Sequence, residues 1–214
     1  TSSKYVARRE KPEFIAENCT QCMKCIAACP DTAMPYAALD INTVLQTAVR
    51  DYISNEDEKK KLLGILPDIE TNSRTKMLEY IKSKEKTPFS RIVKEELDAM
   101  NTVTDKTKQE FAAILDKIPA AYSEAKPIFS SIEKKNAGDG GLFLIFISDL
   151  CKGCGECVIE CGEHEALVMV PDSDEVTTNH NSAMGFLDLL PDTPQKYLGL
   201  YNNASPQDSK FAGL

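Results

Sequence analysis

The chain has 214 residues, of which 42% are hydrophobic and 27% charged, which is ordinary for one sizeable or two small globular domains. Its formal net charge of −8 is unevenly spread, because residues 37–140 carry 17 basic and 18 acidic side chains and are nearly neutral. The excess acid in the remainder argues against nucleic acid as a partner, since that requires clustered positive charge. The longest apolar stretch, 142–147, is far too short to span a bilayer.

The first predicted unit is built around a cysteine-rich loop. A short apolar strand over 13–16 leads into the loop, and a short helix over 24–29 and a strand over 34–36 follow it. Pro30 cannot continue the helix and therefore ends it. The cysteines of this run have the spacing C-x2-C-x2-C-x3-C and are Cys19, Cys22, Cys25 and Cys29.

Residues 37–140 are predicted to form a large all-α insertion of five or six helices. Thr87 is predicted as a helix N-cap with Pro88 at the first helical position, and 136–141 (NAGDGG) as a flexible return to the second unit. Pro127 is expected to interrupt the last helix. Apolar residues recur at helical spacing in four stretches, namely Ile41, Val44, Leu45, Ala48, Val49 and Tyr52; Phe89, Ile92, Val93, Leu97 and Met100; Phe111, Ile114, Leu115 and Ile118; and Tyr122, Ile128, Phe129 and Ile132.

The second unit repeats the first. A strand over 142–147, a cysteine loop, a helix over 156–161 and a strand over 166–170 are predicted, with Gly162 ending the helix in place of a proline. The same cysteine spacing recurs in Cys151, Cys154, Cys157 and Cys161. Residues 172–214 are rich in turn formers, with one amphipathic piece over 186–190, and are predicted to be a C-terminal linker or docking arm.

Every cysteine of the chain belongs to one of these two runs, whose spacing is that of bacterial cubane iron–sulfur sites. Three cysteines at three-residue spacing let one loop wrap a face of a cluster with its N–H groups toward the sulfurs. The fourth comes about one helical turn later and points away from that loop. Two [4Fe–4S] clusters are therefore the favoured interpretation, with all eight cysteines as metal ligands.

Three other uses of the cysteines are weaker. Disulfides are typical of small secreted chains, and zinc sites usually show paired C-x2-C knuckles. C-type haem needs a histidine directly after C-x-x-C, and that place holds Met23, Ile26, Gly155 or Val158.

Several residues near the cysteines have predicted roles. Gly153 and Gly155 should allow a close approach at positive φ. Lys24 and Lys152 either offset cluster charge or are solvated, whereas His164 is expected at the surface. His180 is given no role. An apolar wall is expected from Met23, Ile26, Val158 and Ile159.

The chain resembles two-cluster bacterial ferredoxins, in which the fourth cysteine of each run ligates the other cluster. The resemblance implies an α+β fold, a dicluster ferredoxin-like module whose halves, 1–36 and 141–171, are separated by the helical insertion. It also implies two ligand sets, Cys19, Cys22, Cys25 and Cys161 for one cluster and Cys151, Cys154, Cys157 and Cys29 for the other.

A narrower resemblance rests on ENCTQCMKCIAACPDTAM and LCKGCGECVIECGEHEALVMVP, separated by a long insertion. These segments look like the dicluster domain of pyruvate:ferredoxin oxidoreductase and related 2-oxoacid:acceptor oxidoreductases. In that family thiamine diphosphate decarboxylates a 2-oxoacid, and electrons leave through iron–sulfur clusters to external ferredoxin or flavodoxin. The resemblance implies that this chain is the electron-transfer part. It would have no catalytic residue of its own, and thiamine diphosphate would lie on other domains or subunits.

Two other functions stay open, a stand-alone ferredoxin-type carrier and an electron-entry subunit of another redox complex. The acidity suits either a positively charged redox partner or mere solubility. We expect a reducing, anaerobic cytoplasm, because exposed cubane clusters decay in oxygen. The start at Thr1 leads us to expect a trimmed subunit or a piece of a longer polypeptide.

Overall fold

A computed structural model describes residues 8–198 of the chain. Its helices and two small antiparallel sheets give the mixed α+β architecture that the sequence predicts. The strands are β1 (Glu10–Phe14), β2 (Tyr36–Asp40), β3 (Ala120–Ala121), β4 (Gly141–Ile145) and β5 (Leu167–Pro171). The helices are α1 (Lys24–Ala28), α2 (Ile41–Tyr52), α3 (Glu56–Ser83), α4 (Phe89–Ala99), α5 (Asp105–Leu115), α6 (Ser130–Glu133), α7 (Glu156–Cys161), α8 (Asp174–Leu187) and α9 (Gln195–Leu198).

The strand pairing relates the two cysteine units to each other. The strand before the first unit, β1, pairs with the strand after the second, β5, and β2 pairs with β4 in the same reciprocal way. The helices α1 and α7 pack against each other, and α7 also contacts β5. The two cysteine loops are thereby held together although more than a hundred residues separate them in the sequence.

All four predicted strands exist, but each is displaced by a few residues. The strand β2 ends four residues later than predicted. The strand β1 starts at Glu10 instead of residue 13 and contains Lys11 and Pro12. An apolar pattern does not reveal the start of β1, because this strand contains charged residues and a proline. Proline is tolerated because β1 belongs to a two-stranded sheet and lies at an edge. Lys11 is nevertheless 2% exposed, since its ammonium group is held by Asp172 and Thr177.

The segment 37–140 contains five helices, within the predicted range, but the prediction that it is all-α is wrong. Most of β2 and the whole of β3 lie inside it, and β3 joins β4 as the third strand of the second sheet. The strand β2 therefore runs across the predicted boundary between residues 36 and 37. Every residue of β4 is buried, and strands flank it on both edges.

Two details of the predicted helices are also wrong. The helix cap is Pro88, not Thr87, and the Thr87 carbonyl instead accepts a hydrogen bond of 2.8 Å from the Tyr122 hydroxyl. Tyr122 itself follows β3 and is not helical; only the short α6 forms after Pro127. The apolar spacing of this stretch reflects burial in the core, which helices and irregular segments share.

The return loop 136–141 was predicted to be flexible, yet buried charges hold it. The Glu133 carboxylate accepts hydrogen bonds of 2.9 Å from the N–H groups of both Gly138 and Gly140. Arg74 of α3 pairs with this carboxylate at 2.8 Å and donates to the Gly140 carbonyl at 2.7 Å. The glycines therefore supply backbone shape for a fixed connection into β4.

The predicted linker or arm 172–214 can be judged only over its first part, because residues 199–214 lie outside the described residues. Between 172 and 198 the chain forms α8 and α9 and packs on its own core, burying Phe186 and Tyr197. The helix α8 ends at Leu187, and so only the start of the amphipathic piece at 186–190 is helical. The Tyr197 hydroxyl donates to Asp40 at 2.8 Å and so fixes α9 beside β2. Among residues 8–198 no helix is both long and apolar enough to cross a membrane.

Candidate metal centre

The two cysteine helices present their cysteines on matched faces. In α7, Cys157 and Cys161 are four residues apart, which places them on one side of the helix. Cys25 in α1 and Cys29 at its C-cap repeat this arrangement. Because α1 packs against α7, the last cysteine of each run lies near the loop of the other run.

Two cavities collect the eight cysteines into two groups of four. The first cavity, which we call cavity A, is lined by Phe14, Met23 and Ile145 among others. The second, cavity B, is lined by Pro12, Met34 and Lys152 among others. The cysteines of cavity A are Cys19, Cys22, Cys25 and Cys161. The cysteines of cavity B are Cys29, Cys151, Cys154 and Cys157. Each group therefore takes three cysteines from one run and the fourth from the other.

Backbone N–H groups point at the sulfurs of three of these cysteines. The N–H of Gln21 donates to the Sγ of Cys19 at 3.4 Å. The N–H of Ala33 donates to Cys29 at 3.3 Å, and that of Ala166 donates to Cys161 at 3.2 Å. Such bonds stabilise negative charge on sulfur, and they are one of the means by which a protein sets the potential of an iron–sulfur cluster.

Left-handed backbone shapes both loops at equivalent positions. In the second run Gly153 and Gly155 have φ of 71° and 83°, as predicted from their sequence. In the first run the matching positions hold Gln21 and Met23, with φ of 60° and 59°. Side chains rarely adopt this region, at a cost of about 1–3 kcal/mol each. The first loop is thus held in a strained form by its surroundings. No sequence pattern indicates this strain, because neither residue is a glycine.

Gly153 also permits a close approach between the second loop and the first strand. A Cβ atom placed on it would lie 2.3 Å from the carbonyl oxygen of Glu10. Arg8 fixes the same contact from the other side, since its guanidinium donates to the Cys151 carbonyl at 2.6 Å and pairs with Asp172 at 2.8 Å. The sequence did not single out Arg8, Lys11 or Asp172, because their partners are distant along the chain.

The buried thiols are poor acids. Burial above all raises the pKa of Cys19 and of Cys25 to about 12, and that of Cys157 to about 11. Neighbouring sulfurs of the same cavity raise these pKa values further, as Cys22 and Cys161 do for Cys25. Because metal ligation requires thiolates, filling either cavity with a metal cluster releases protons and supplies the positive charge that the sulfurs lack.

The donor set fits a cluster better than a single ion. Among residues 8–198, no three His, Cys, Asp or Glu side chains converge so as to hold one metal ion. Zinc would need thiolates about 2.3 Å from a common centre, whereas a cubane offers a separate iron to each of four thiolates. Four cysteines around each cavity, with N–H groups directed at three of the eight sulfurs, suit a cubane.

The predicted apolar wall is only partly present. Met23 is buried against cavity A, and Ile26 and Val158 are partly buried against the core. The prediction for Ile159 is wrong, because 69% of this residue is exposed to solvent. Its position in α7 directs it away from the side that carries Cys157 and Cys161, and the sequence pattern alone did not separate the two sides.

The lysines and histidines have different surroundings. Lys24 and Lys152 are both exposed, and Lys152 also lines cavity B. His164 is exposed as predicted, at the edge of cavity A. His180, for which no role is predicted, is partly buried in α8 and has an Nδ1 atom without a hydrogen-bond partner.

His180 lines a larger cavity of about 490 Å³ beside the cysteine units. Phe14 and Ile145 line both this cavity and cavity A, so a single layer of side chains separates the two. Burial, with a smaller effect of Lys11 and Arg8, lowers the pKa of His180 to about 4, and the ring is therefore neutral at neutral pH.

Comparisons with known proteins agree with this assignment of chemistry. A 4Fe-4S binding domain family matches residues 11–39, and another 4Fe-4S binding domain family matches residues 148–164. No curated protein and no solved structure matches the chain. The two matched segments contain all eight cysteines. The chain therefore has the binding motifs of a ferredoxin-like iron–sulfur protein, and its clustered cysteines indicate iron–sulfur electron transfer.

Proposed function

We propose that the chain carries electrons through two [4Fe–4S] clusters, as the ferredoxin-like part of a thiamine diphosphate-dependent 2-oxoacid:ferredoxin oxidoreductase of the pyruvate type. In this proposal the cysteines of cavity A hold one cluster and those of cavity B hold the other. The observation that carries it is the crossed grouping, in which Cys161 joins the first run and Cys29 joins the second. Crossed ligation is the pattern of two-cluster ferredoxins.

The protein's own contribution is to hold and shield the two sites. When bound, a [4Fe–4S] cluster takes up and releases one electron at a time. Cys19, Cys25 and Cys161 are buried, so the walls of cavity A limit access of water and oxygen. The N–H groups of Gln21, Ala33 and Ala166 stabilise sulfur charge. The helix α1 with its C-cap supplies Cys25 to cavity A and Cys29 to cavity B, and α7 supplies Cys161 and Cys157 in the same way, so the two sites are neighbours.

The place in a 2-oxoacid oxidoreductase rests on the resemblance of the two cysteine segments and on the long insertion between them. The sequence has no glycine-rich nucleotide loop, P-loop or nucleophile elbow. We therefore assign the bond-breaking chemistry, and thiamine diphosphate, to neighbouring domains or subunits. The partners are then those neighbours and an external ferredoxin or flavodoxin. Eight free cysteines fit a reducing, cytoplasmic and anaerobic setting.

The division of the chain follows from the same proposal. Residues 1–36 and 141–171 are the two halves of the dicluster module, with β2 extending the first half to Asp40; 37–140 is an insertion, and 172–214 is a C-terminal linker or docking arm whose part up to 198 packs on the core of the chain. The reciprocal pairs β1–β5 and β2–β4 support the two halves as one unit.

Cluster content is the first test. Protein prepared without oxygen should contain about eight irons and eight sulfides per chain, measured by metal and acid-labile sulfide analysis. Bound zinc, or about four irons, would contradict two cubanes.

The second test concerns the reaction. In the native assembly, anaerobic addition of 2-oxoacid, coenzyme A and thiamine diphosphate together should bleach the cluster absorbance, and omission of the 2-oxoacid should prevent bleaching. The isolated chain should oxidise no 2-oxoacid. Bleaching by hydrogen or a reduced nicotinamide, with none by any 2-oxoacid, would move the chain to the class of electron-entry subunits. Release of the chain as a free monomer would favour a stand-alone carrier.

A further inference from the structure

The outward side of α7 is an exposed surface that the packing of the protein does not use. Cys157 and Cys161 occupy the inward side and are buried. Glu156, Ile159 and Glu160 lie on the other side, three and four residues apart, and all are exposed. Glu163 and Glu165 follow directly and are exposed as well. We call these five residues the acidic face.

The first cysteine run lacks such a surface, although it has the same fold. Residues 151–165 contain four glutamates and one lysine, whereas the equivalent residues 19–33 contain one aspartate and one lysine. The positions that match Glu156, Ile159 and Glu160 are Lys24, Ala27 and Ala28. The two runs can therefore be compared within one chain. Because α1 and α7 each hold two cysteines toward the cavities, that structural role does not explain why α7 also carries acidic residues and an exposed aliphatic residue.

The two runs also differ in how exposed their cysteines are. Cys154, two residues before the acidic face, is exposed, whereas the matching Cys22 is only partly so. Cavity A has three buried cysteines, and cavity B has one, Cys157. The end of the acidic face at Glu156 thus adjoins the cysteine group that is more open to solvent, whereas Glu163 and Glu165 flank His164 at the edge of cavity A.

We propose that the acidic face is the docking surface for a redox protein with a positively charged contact surface, which exchanges electrons with the cysteine group of cavity B. Ile159 is 69% exposed, and the exposed carboxylates of Glu156 and Glu160 lie on the same side of α7. An apolar residue beside polar ones is the composition of a protein interface, which has an apolar centre and a polar rim. The carboxylates would steer a basic partner toward Cys154 and repel an acidic one. This proposal rests on the proposed electron-transfer function.

The test uses the complete chain, loaded with clusters and reduced without oxygen. Cytochrome c serves as a basic redox probe, and methyl viologen as a small probe that needs no docking surface. Stopped-flow absorbance then gives the rate of electron transfer to each. With cytochrome c the rate should fall as salt is added, because steering is screened. The double variant Glu156→Lys/Glu160→Lys should lower this rate about tenfold or more at low salt, and Ile159→Ala should lower it at all salt concentrations.

The matched control is Asp68→Lys/Glu79→Lys, which changes two exposed acids of α3 and alters the net charge equally. It should change the rate less than about twofold, since it lies outside the acidic face. Iron content and the viologen rate, measured for each variant, show whether the clusters are intact. Equal loss in both double variants, or no loss in Glu156→Lys/Glu160→Lys, would overturn the docking surface. Failure of the unaltered protein to transfer electrons even to viologen would instead refute the electron-transfer function.

Discussion

Cys29 and Cys161 each belong to one run in the sequence and to the cavity of the other run in space. Local geometry accounts for this crossing. The fourth cysteine stands one helical turn after the third and therefore leaves the loop that precedes it. Spacing alone predicts only that the fourth cysteine points away from its own loop, because that distance spans a few residues; its place in the other group was implied by the resemblance to two-cluster ferredoxins. The identities of all eight candidate ligands could be read from the sequence for the same reason.

The crossing makes a paired prediction for single cysteine changes. Cys29→Ala should damage the cluster of Cys151, Cys154 and Cys157, whereas Cys161→Ala should damage the cluster of the first run. Each variant should keep about four of eight irons after anaerobic purification, and electron paramagnetic resonance of the reduced protein should show a different surviving signal in each. The two variants are controls for each other. Loss in Cys29→Ala confined to the Cys19–Cys25 cluster would disprove the crossing.

His180 gives a prediction about pH. Its folded pKa of about 4 lies below the ordinary value of 6.5, so the unfolded chain takes up a proton first as the pH falls. The stability from the neutral ring is full above pH 6.5 and is lost as pH drops toward 4. Lys11 and Arg8 oppose protonation and Asp172 favours it; Lys117, Glu13, Glu17 and Asp116 line the same cavity.

The measurement is chemical unfolding at pH 7 and pH 5. Because the ring is only partly buried, we expect His180→Gln to recover about 1–2 kcal/mol of the stability that the native protein loses between these values. His164→Gln changes the other histidine of the chain, which is exposed, and should leave the loss unaltered. If His180→Gln lost as much stability between pH 7 and pH 5 as the native protein, the His180 ring would not be the cause of that loss.

At the scale of elements, success depended on whether the signal was local. The apolar period of α2 gave its bounds, because one face of that helix is buried along its length. The start of β1 was not predicted, since Lys11 is buried only because its partners lie more than 160 residues away. The glycines of the loop 136–141 are visible in the sequence, but its contact with Arg74 is not, because Arg74 reaches the loop from the middle of α3. Long-range charge pairing leaves no periodic trace in a sequence.

The Arg74 contact predicts a large cost for a single change. Arg74→Met would leave the Glu133 carboxylate buried, with two glycine N–H groups but no cation, at a cost of about 3–5 kcal/mol. Urea unfolding should show this loss, and limited proteolysis should show cleavage near 136–141. Arg91→Met removes an exposed partner of Glu95 and should cost less than about 1 kcal/mol. Similar losses for both variants would mean that Arg74 does not hold the loop.

For the molecule as a whole, the helical segment lies between two paired strands. Asp40 and Gly141 are register partners in the antiparallel pair β2–β4, so residues 41–140 leave and return at neighbouring points. All eight cysteines and both reciprocal strand pairs lie outside this segment. The presence of helices there could be predicted from spacing. The pairing of β3 with β4 could not, because it joins residues far apart along the chain.

This geometry leads to a prediction about a shortened chain. Replacement of residues 41–140 by Asn-Gly should convert β2 and β4 into a hairpin, since this dipeptide favours the turn that joins antiparallel strands. The variant should still bind about eight irons, because its cysteines keep their positions. Its stability should fall, since β4, buried on every residue, loses the cover of β3 and the helices.

The shortened chain is best prepared without oxygen as a fusion to a soluble carrier, because Leu39 and Phe143 lose their cover. Iron and sulfide analysis gives the cluster content, and electron paramagnetic resonance shows whether two clusters are present. The same deletion carrying Cys29→Ala is the control and should retain about half of the iron. If the shortened chain binds no cluster although its strands form, the helices must belong to the shell of the metal centre. If both clusters assemble, the insertion serves stability and contacts with neighbouring chains, and electron transfer resides in residues 8–40 and 141–171.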